Sequence, residues 1–225
     1  MNSKEKAIRA SWDDNAAAWT NAVREGKIES RVRSTNAAVV SAVQDMGIAK
    51  VLDVGCGEGW LCRAVAELGM AAVGFDGSAA LIAEAKRLGG GEYQVLGYDD
   101  FAAHPARAGG PFDTVVCNYS LLGEDVLAVL RGTAAVLEPG GSLIVQTLHP
   151  FSAVGPEDRY ENGWRSEDFS GMGAGFKSPM PWYFRTVGSW LSQIRLSGFE
   201  LLECRETMTS ESTPISLLVI AARQG

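Results

Sequence analysis

The sequence has few of the residues that bind metals or form disulfide bonds. Its 225 residues include two histidines and four cysteines, and no two cysteines stand in a C-x-x-C pair. Structural zinc sites use about four such ligands at characteristic spacings, so we expect no metal. We expect the cysteines to be reduced and mostly buried thiols. They are Cys56, Cys62, Cys117 and Cys204.

Basic residues and long apolar runs are also scarce. Lys and Arg total 20 against 27 Asp and Glu, for a net charge of −7. Because phosphate binding requires a basic face, we expect neither nucleic acid nor an anionic membrane as a partner. No run of 18 or more apolar residues is present, and the first residues lack the apolar core of a signal peptide. The sequence therefore predicts a cytoplasmic protein and leaves a homodimer open.

Strand and helix patterns alternate regularly along most of the chain. Short apolar runs rich in β-branched residues are separated by helical patterns, which is typical of a parallel sheet covered by helices. The last two runs are separated only by a turn region and are predicted to form an antiparallel hairpin. We therefore predict an α/β fold with a seven-stranded, mostly parallel sheet. The predicted strands are 50–54, 72–76, 93–97, 114–118, 142–147, 200–206 and 215–222, and the helices between them are 60–68, 79–88, 124–137 and 186–196.

Two stretches lie outside this alternation. Residues 1–46 are predicted to contain helices at 13–23 and 32–46. Residues 149–185 form a long connection rich in proline, glycine and aromatic residues. A connection of this length in a compact domain usually has a function, such as a lid or a binding loop. The alternative is an aromatic loop that only covers one face of the sheet.

The most informative motif is a glycine turn after the first predicted strand. Residues 51–60 read Val-Leu-Asp-Val-Gly-Cys-Gly-Glu-Gly-Trp. Alternate glycines let the backbone turn sharply and let a ligand lie against the main chain near a helix start. The spacing G-x-G-x-G differs from the dinucleotide motif G-x-G-x-x-G, and Glu58 would place a like charge beside a pyrophosphate. We expect a ligand that is uncharged or cationic at this point.

An acid ends the second predicted strand, 17 residues after Gly59. This residue, Asp76, can accept hydrogen bonds from the 2′- and 3′-hydroxyls of a ribose. Its alternative role is to cap the following helix. In combination with the glycine turn, its position favours ribose binding.

These motifs resemble those of class I S-adenosylmethionine-dependent methyltransferases, of the small-molecule type that includes quinone-biosynthesis enzymes. The resemblance covers about residues 48–148 and extends through Tyr98-Asp99-Asp100, Phe112-Asp113 to Asn118, and Leu137-Glu138-Pro139-Gly140-Gly141. It implies a Rossmann-like fold with helices on both faces of the sheet. It also implies one domain with four parts: an N-terminal helical lid (1–46), a cofactor-binding core (47–148), an acceptor-binding insert (149–185), and a C-terminal helix and hairpin (186–225).

The resemblance implies S-adenosylmethionine as the cofactor and assigns residues to its nucleoside and methionine parts. It places Asp76 on the ribose and Gly77 beside the adenine. It places the turn on the methionyl part, with Asp53 bracing the turn or reaching the amino group. The turn residues are Gly55, Cys56 and Gly57.

Three further groups of residues are implied for the cofactor. Tyr98, Asp99 and Asp100 follow the third strand, where an acid binds the adenine amino group; we expect Asp99, with Tyr98 packing nearby. Asn118 and Tyr119 are expected to face the sulfonium, whose positive charge carbonyls and aromatic faces stabilise. An arginine after the first helical segment is expected to bind the carboxylate. The two candidates are Arg31 and Arg33, and the alternative for both is a solvated surface charge.

Methyl transfer is an in-line displacement, so the protein chiefly aligns the acceptor and excludes water. An acceptor with an acidic proton also needs a base, for which His149 is the candidate. Tyr119 is the second residue predicted to be catalytic. The alternative for His149 is a hydrogen-bonded imidazole in a strand-ending turn. Acceptor residues are expected in the insert, where aromatics suit a flat or apolar molecule and arginines leave room for a carboxylate. The candidates are Phe151, Trp164, Arg165, Trp182, Tyr183 and Arg185.

The predicted function is methyl transfer from S-adenosylmethionine to a small organic acceptor. Two alternatives remain at this point. One is a module that binds the cofactor without catalysis. The other is a nicotinamide-dependent oxidoreductase, which the glycine spacing and the terminal hairpin disfavour.

Overall fold

The computed structural model describes residues 3–47, 50–155 and 158–224, and their secondary structure follows the predicted alternation. The helices are α1 (Ser3–Arg24), α2 (Asn36–Asp45), α3 (Trp60–Glu67), α4 (Ala79–Leu88), α5 (Tyr98–Ala103), α6 (Leu127–Val136) and α7 (Val187–Leu196). The strands are β1 (Lys50–Val54), β2 (Ala71–Asp76), β3 (Glu92–Val95), β4 (Phe112–Asn118), β5 (Leu137–Leu148), β6 (Gly163–Glu167), β7 (Met180–Phe184), β8 (Phe199–Met208) and β9 (Pro214–Arg223).

Seven of the strands form one sheet in the order β3-β2-β1-β4-β5-β9-β8. Strands β1 to β5 are parallel, whereas β9 is antiparallel to both β5 and β8. The predicted mostly parallel sheet with a C-terminal hairpin is therefore confirmed. The strand order reverses between β1 and β4, and in open α/β sheets ligands bind at such a reversal, beyond the carboxyl ends of the strands.

Several elements differ from the predicted ones. Strand β5 begins at Leu137, five residues before the predicted start, and α1 extends over 3–24 rather than 13–23. Helix α5 was not predicted, because six residues are too short for a helical period to show. Strands β6 and β7 pair in a separate two-stranded sheet within the 149–185 segment, which was also not predicted. Residues 156 and 157 of that segment lie outside the described residues.

The sheet is covered on both faces because side chains alternate along its strands. On β1, Leu52 and Val54 pack in a core layer with residues of α5, α6 and α7. Val51 points to the opposite face, into a layer formed with α2, α3 and α4. Burial on both faces explains why the strands read as continuous apolar runs. None of the helices in the described ranges is long and apolar enough to cross a membrane.

Helix α1 is attached to the 149–185 segment through a buried asparagine. Asn15 donates from Nδ2 to the carbonyl of Ser178 at 2.7 Å and accepts the backbone N–H of Lys177 at 2.7 Å. Nearby, Trp12 packs edge-on against Phe169 with 6.1 Å between ring centroids. Helix α1 and the 149–185 segment therefore pack directly against each other.

Loss of the Asn15 amide should loosen α1 and the 149–185 segment together. We expect Asn15→Ala to lower the free energy of unfolding by about 1–3 kcal/mol, because backbone groups paired with a buried amide lose their partner. Hydrogen exchange should rise in α1 and around residues 177–178. The matched control is Asn21→Ala, at an exposed position of α1. Equal effects of the two substitutions would contradict this account.

Candidate functional site

A cleft of about 490 Å³ lies at the carboxyl ends of β1, β2 and β4, beneath α1. It brings together every residue predicted to bind the cofactor except Arg33. The predicted residues in its lining are Arg31, Asp53, Gly55, Cys56, Gly57, Asp76, Gly77, Tyr98, Asp99, Asp100, Asn118 and Tyr119. Residues that are distant in the sequence thus meet where the strand order reverses.

The glycine turn forms the floor of this cleft. Gly55 has φ +75°, and a Cβ atom built on it would lie 2.4 Å from Tyr98 Oη and 2.5 Å from Ser120 Cβ. Its N–H and that of Cys56 both donate to the carbonyl of Phe75, at 2.9 and 3.0 Å. Position 55 therefore requires glycine, since a side chain there meets both a strained backbone and two neighbouring groups.

Asp76 braces the turn. Its Oδ2 accepts the N–H of Gly57 at 3.0 Å, and its Oδ1 accepts the N–H of Ser78 at 2.8 Å. Burial raises the pKa of Asp76, and the bonds from Ser78 and Gly57 oppose that rise. The alternative role of Asp76 as a helix cap belongs instead to Ser78, whose Oγ accepts the N–H of Leu81.

Asp53 is buried at the end of β1 and lines the cleft. Its Oδ2 accepts a long hydrogen bond from Cys62 Sγ, at 3.9 Å. Burial raises the pKa of Asp53 to about 7, Asp76 adds to the rise, and Arg31 opposes it. Asp76 rather than Asp53 accepts the Gly57 N–H, and in the described ranges Asp53 lies at the cleft free of the turn's hydrogen bonds.

Arg31 lies in a π-helical stretch (Arg31–Thr35) and, unlike Arg33, lines the cleft, as does Arg9 of α1. Its guanidinium is 5.7 Å from the ring centroid of Trp19 and 5.0 Å from that of Trp60, within the range of cation–π contacts. Burial lowers its pKa, which Tyr119 and acidic neighbours oppose. Arg33 is 72% exposed and pairs with Glu29 at 2.7 Å, outside the cleft lining.

Glu58 is buried within the turn, but its charge is compensated. Both of its carboxylate oxygens accept bonds from Arg63 Nη2 at 2.7 Å, and Arg24 Nε lies 3.2 Å from Oε2. A phosphate near this turn would therefore meet less repulsion than the sequence suggests, because two arginines already balance the carboxylate.

Tyr98, Asp99 and Asp100 form the first turn of α5. The Tyr98 hydroxyl donates to the carbonyl of Ser120 at 3.0 Å, which places this ring under the glycine turn. Both acids are exposed and line the cleft, and Asp100 pairs with Arg107 at 3.5 Å. The structure brings both acids to the cleft.

Asn118 and Tyr119 stand at the end of β4. Tyr119 has φ +54°, which is uncommon for a residue other than glycine and is frequent at functional sites. Burial raises the pKa of Tyr119, while polar contacts with Ser216 and Thr35 oppose the rise, so its phenol is protonated near neutral pH. It can donate a hydrogen bond but is not a base. Asn118 Oδ1 is buried without a hydrogen-bond partner among the described residues.

His149 does not join this group. In the described part of the chain it lines neither the cleft nor a smaller cavity beside it. Its Nδ1 accepts the N–H of Phe151 at 3.2 Å, and its Nε2 lies 2.8 Å from Glu206 Oε1. The structure thus favours the alternative stated for His149, a hydrogen-bonded imidazole where a strand ends.

The acceptor candidates divide into two groups. Trp182, Tyr183 and Arg185 line the smaller cavity, which shares Tyr119 with the main cleft. The others lie outside the lining of both cavities: Phe151 is 67% exposed, Trp164 packs on Tyr183, and Arg165 lies 3.5 Å from Asp158. Only part of the 149–185 segment therefore faces the site.

Some cleft residues were not predicted as ligand contacts. Trp12 and Trp19 both line the cleft, and their rings pack edge-on with 4.9 Å between centroids. Their seven-residue spacing on one helix face is the signal that could have indicated this. Within the described ranges there is no cluster of three or more His, Cys, Asp or Glu able to hold a metal.

The fold and the site agree with the result of a comparison with known protein families. The family model of a methyltransferase domain matches residues 15–203, and the chain belongs to this family.

Curated relatives match part of the chain. The ubiquinone biosynthesis O-methyltransferase of Xanthomonas oryzae pv. oryzae (strain PXO99A) is 39% identical over 117 residues, which are 49% of this chain and 47% of that protein. The protein of the same name from Xanthomonas campestris pv. campestris (strain B100) is 40% identical over 108 residues, 45% of this chain and 44% of that protein. The chain spans about half the length of the curated relatives it matches.

Solved structures share the fold over most of the chain. An S-adenosylmethionine-dependent methyltransferase from Mesorhizobium loti has a TM-score of 0.61 at 24% identity, covering 81% of this chain and 96% of that one. Magnesium protoporphyrin IX methyltransferase from Synechocystis PCC 6803, with bound S-adenosylmethionine, has a TM-score of 0.62 at 16% identity, covering 100% and 99%. The Rossmann-like arrangement is therefore that of known methyltransferases.

The raised pKa of Asp53 predicts a pH-dependent stability of the ligand-free protein. An acid whose folded pKa is about 7, against 3.8 ordinarily, keeps its proton in the folded state while the unfolded chain loses it. Stability should fall as the pH rises from about 4 to 7. A pKa change of this size corresponds to a loss of about 4 kcal/mol between pH 4 and pH 8, and we expect Asp53→Asn to remove that loss. Thermal melting across this range measures it, and parallel curves for variant and wild type would contradict it.

Proposed function

We propose that the protein is a methyltransferase that binds S-adenosylmethionine in the main cleft and methylates a small organic acceptor. The observation that carries this proposal is the meeting of Asp76, Asp53 and Arg31 around a braced glycine turn at the reversal of strand order. When bound, the cofactor supplies a methyl group on a positively charged sulfur.

The chemistry of the cleft fits the groups of this cofactor one by one. Asp76 uses one lone pair on each carboxylate oxygen for the turn, which leaves others for the two ribose hydroxyls. Arg31 suits a carboxylate and Asp53 suits an ammonium group. Asn118 Oδ1, a buried acceptor without a partner among the described residues, suits the positive sulfonium.

The remaining cofactor contacts follow from the same arrangement. The adenine would lie between Gly77 and the first turn of α5, with Asp99 or Asp100 accepting from its amino group. The methionyl part would follow the main chain of Gly55 to Gly57, beside Cys56. Burial raises the pKa of Cys56 well above its ordinary value, so this thiol is neutral and serves as a packing group rather than a nucleophile.

The chain aligns the acceptor with the cofactor and excludes water from the reacting atoms. Trp12 and Trp19 of α1 cover the cleft, which excludes water from the reacting atoms. The protonated phenol of Tyr119 holds its position through polar contacts and is a donor that can orient an acceptor at the end of β4. His149 lies outside the cleft, so the proposal assigns it no proton transfer.

We further propose a cytoplasmic protein whose acceptor is a small molecule rather than a nucleic acid. The net charge of −7 supports this, since it disfavours phosphate backbones. A homodimer stays a prediction, which light scattering of the purified protein tests.

Calorimetry with S-adenosylmethionine and S-adenosylhomocysteine tests the cofactor. We expect micromolar binding of both, and at least tenfold weaker binding by Asp76→Ala, because the ribose acid and the brace of the turn are lost together. The control is Glu67→Ala, an exposed acid of α3. Absence of binding by the wild type would refute the proposal. Binding without methyl transfer to any acceptor pool would favour the module without catalysis, and enhanced NADH fluorescence would favour the oxidoreductase.

Arg31 and Arg33 offer a matched pair for the cofactor carboxylate. We expect Arg31→Met to raise the dissociation constant of S-adenosylhomocysteine about tenfold or more, because a buried charged hydrogen bond is lost. Arg33→Met should leave it within about twofold, since exposed ion pairs contribute little. Calorimetry of both variants decides, and an equal loss would show that the cleft does not distinguish the two arginines.

A further inference from the structure

A smaller cavity of about 40 Å³ lies beside the main cleft. Tyr119, Leu121 and Leu122 line both spaces, so the two adjoin at the end of β4. Because one water needs roughly 15 Å³, the smaller cavity holds a group of a few heavy atoms. Its other lining residues include Pro150, Trp182 and Trp190, and one charged side chain, Arg185.

Arg185 is almost fully enclosed, with 3% of its surface exposed. Its Nη2 donates to the carbonyls of Gly123 and Glu124 at 2.6 and 2.5 Å. Its Nη1 is buried without a hydrogen-bond partner among the described residues. The bonds therefore fix the guanidinium to the loop after β4, and they leave one donor group unused.

Among the described residues, no anion contacts the positive charge of Arg185. Its guanidinium carbon lies 4.9 Å from the ring centroids of both Tyr183 and Trp190, which are neutral. Glu124 and Asp125 favour its charged form, but their side chains are exposed, and neither forms an ion pair with it in the described part of the chain. A buried cation without a paired anion is unfavourable, and a bound anion relieves that cost.

Arg165, the other arginine considered for this segment, also has a buried nitrogen without a hydrogen-bond partner, its Nε, but it differs from Arg185 in its ion pair and its location. It lies 3.5 Å from Asp158 and 5.2 Å from the ring centroid of Phe184, and it is outside the lining of both cavities. Its charge thus already has a partner.

We propose that the smaller cavity binds a carboxylate of the methyl acceptor, held by Nη1 of Arg185. This inference rests on the proposed function and names the class of acceptor: an organic acid whose apolar body lies against the rings of Trp182 and Tyr183. The carboxylate anchors the acceptor, and Tyr119 stands between it and the main cleft.

A matched pair of probes tests the charge preference. Benzoate and benzamide have nearly the same shape and differ in charge, and both are titrated into the protein saturated with S-adenosylhomocysteine. The shift of the Trp182 indole N–H resonance reports binding. We expect benzoate to bind at least tenfold more tightly than benzamide. We expect Arg185→Met to bring this ratio close to one, Arg185→Lys to give an intermediate ratio, and the exposed control Arg159→Met to leave it unchanged.

Equal binding of the two probes by the wild type, or a preference that survives in Arg185→Met, would overturn the inference. Thermal melting and the affinity for S-adenosylhomocysteine show whether each variant is folded. If Arg185→Met does not fold, the wild-type ratio and the Arg185→Lys variant decide. Lack of cofactor binding would refute the proposed function instead, and the same titration on the free protein then tests Arg185 separately.

Discussion

The carboxylate of Asp76 is the interaction on which the site depends. By accepting the N–H groups of Gly57 and Ser78, it joins the ends of β1 and β2 and the start of α4. These ends cannot separate without leaving buried polar groups unpaired. The turn held in this way brings Gly55 against Tyr98 so closely that a side chain does not fit. The carboxylate of Asp76 and the lack of a side chain at Gly55 thus determine the shape of the cleft floor.

The charges around the cleft form two groups that the net charge of −7 does not reveal. Glu58 also lines the cleft, but Arg24 and Arg63 balance its charge. Arg31 and Asp53 line the cleft, and each affects the pKa of the other. They form no direct ion pair in the described ranges. The first group stabilises the turn, whereas the second is available to a ligand that carries both signs of charge.

The sheet and the position of the cleft could be predicted because their signals are local. Apolar runs mark the strands, and the glycine turn and Asp76 lie at strand ends. Features that depend on distant contacts could not be predicted. Arg31 and Arg33 lie two residues apart in one π-helical stretch, and contacts with Trp19 and Trp60 distinguish the one that lines the cleft. His149 contacts Glu206, which belongs to another strand. The sequences of β6 and β7 show no strong alternation of apolar and polar residues that would predict their pairing.

The buried Asn15 connects two parts of the molecule that would contact different ligands. Helix α1 covers the main cleft, and residues 177–178 lead directly into β7, whose Trp182 and Tyr183 line the smaller cavity. A movement of α1 that uncovers the cleft must break these bonds or carry the start of β7 with it. Under the proposed function, a movement of α1 that releases the spent cofactor would also loosen the acceptor side, so the release of cofactor and product would be coupled.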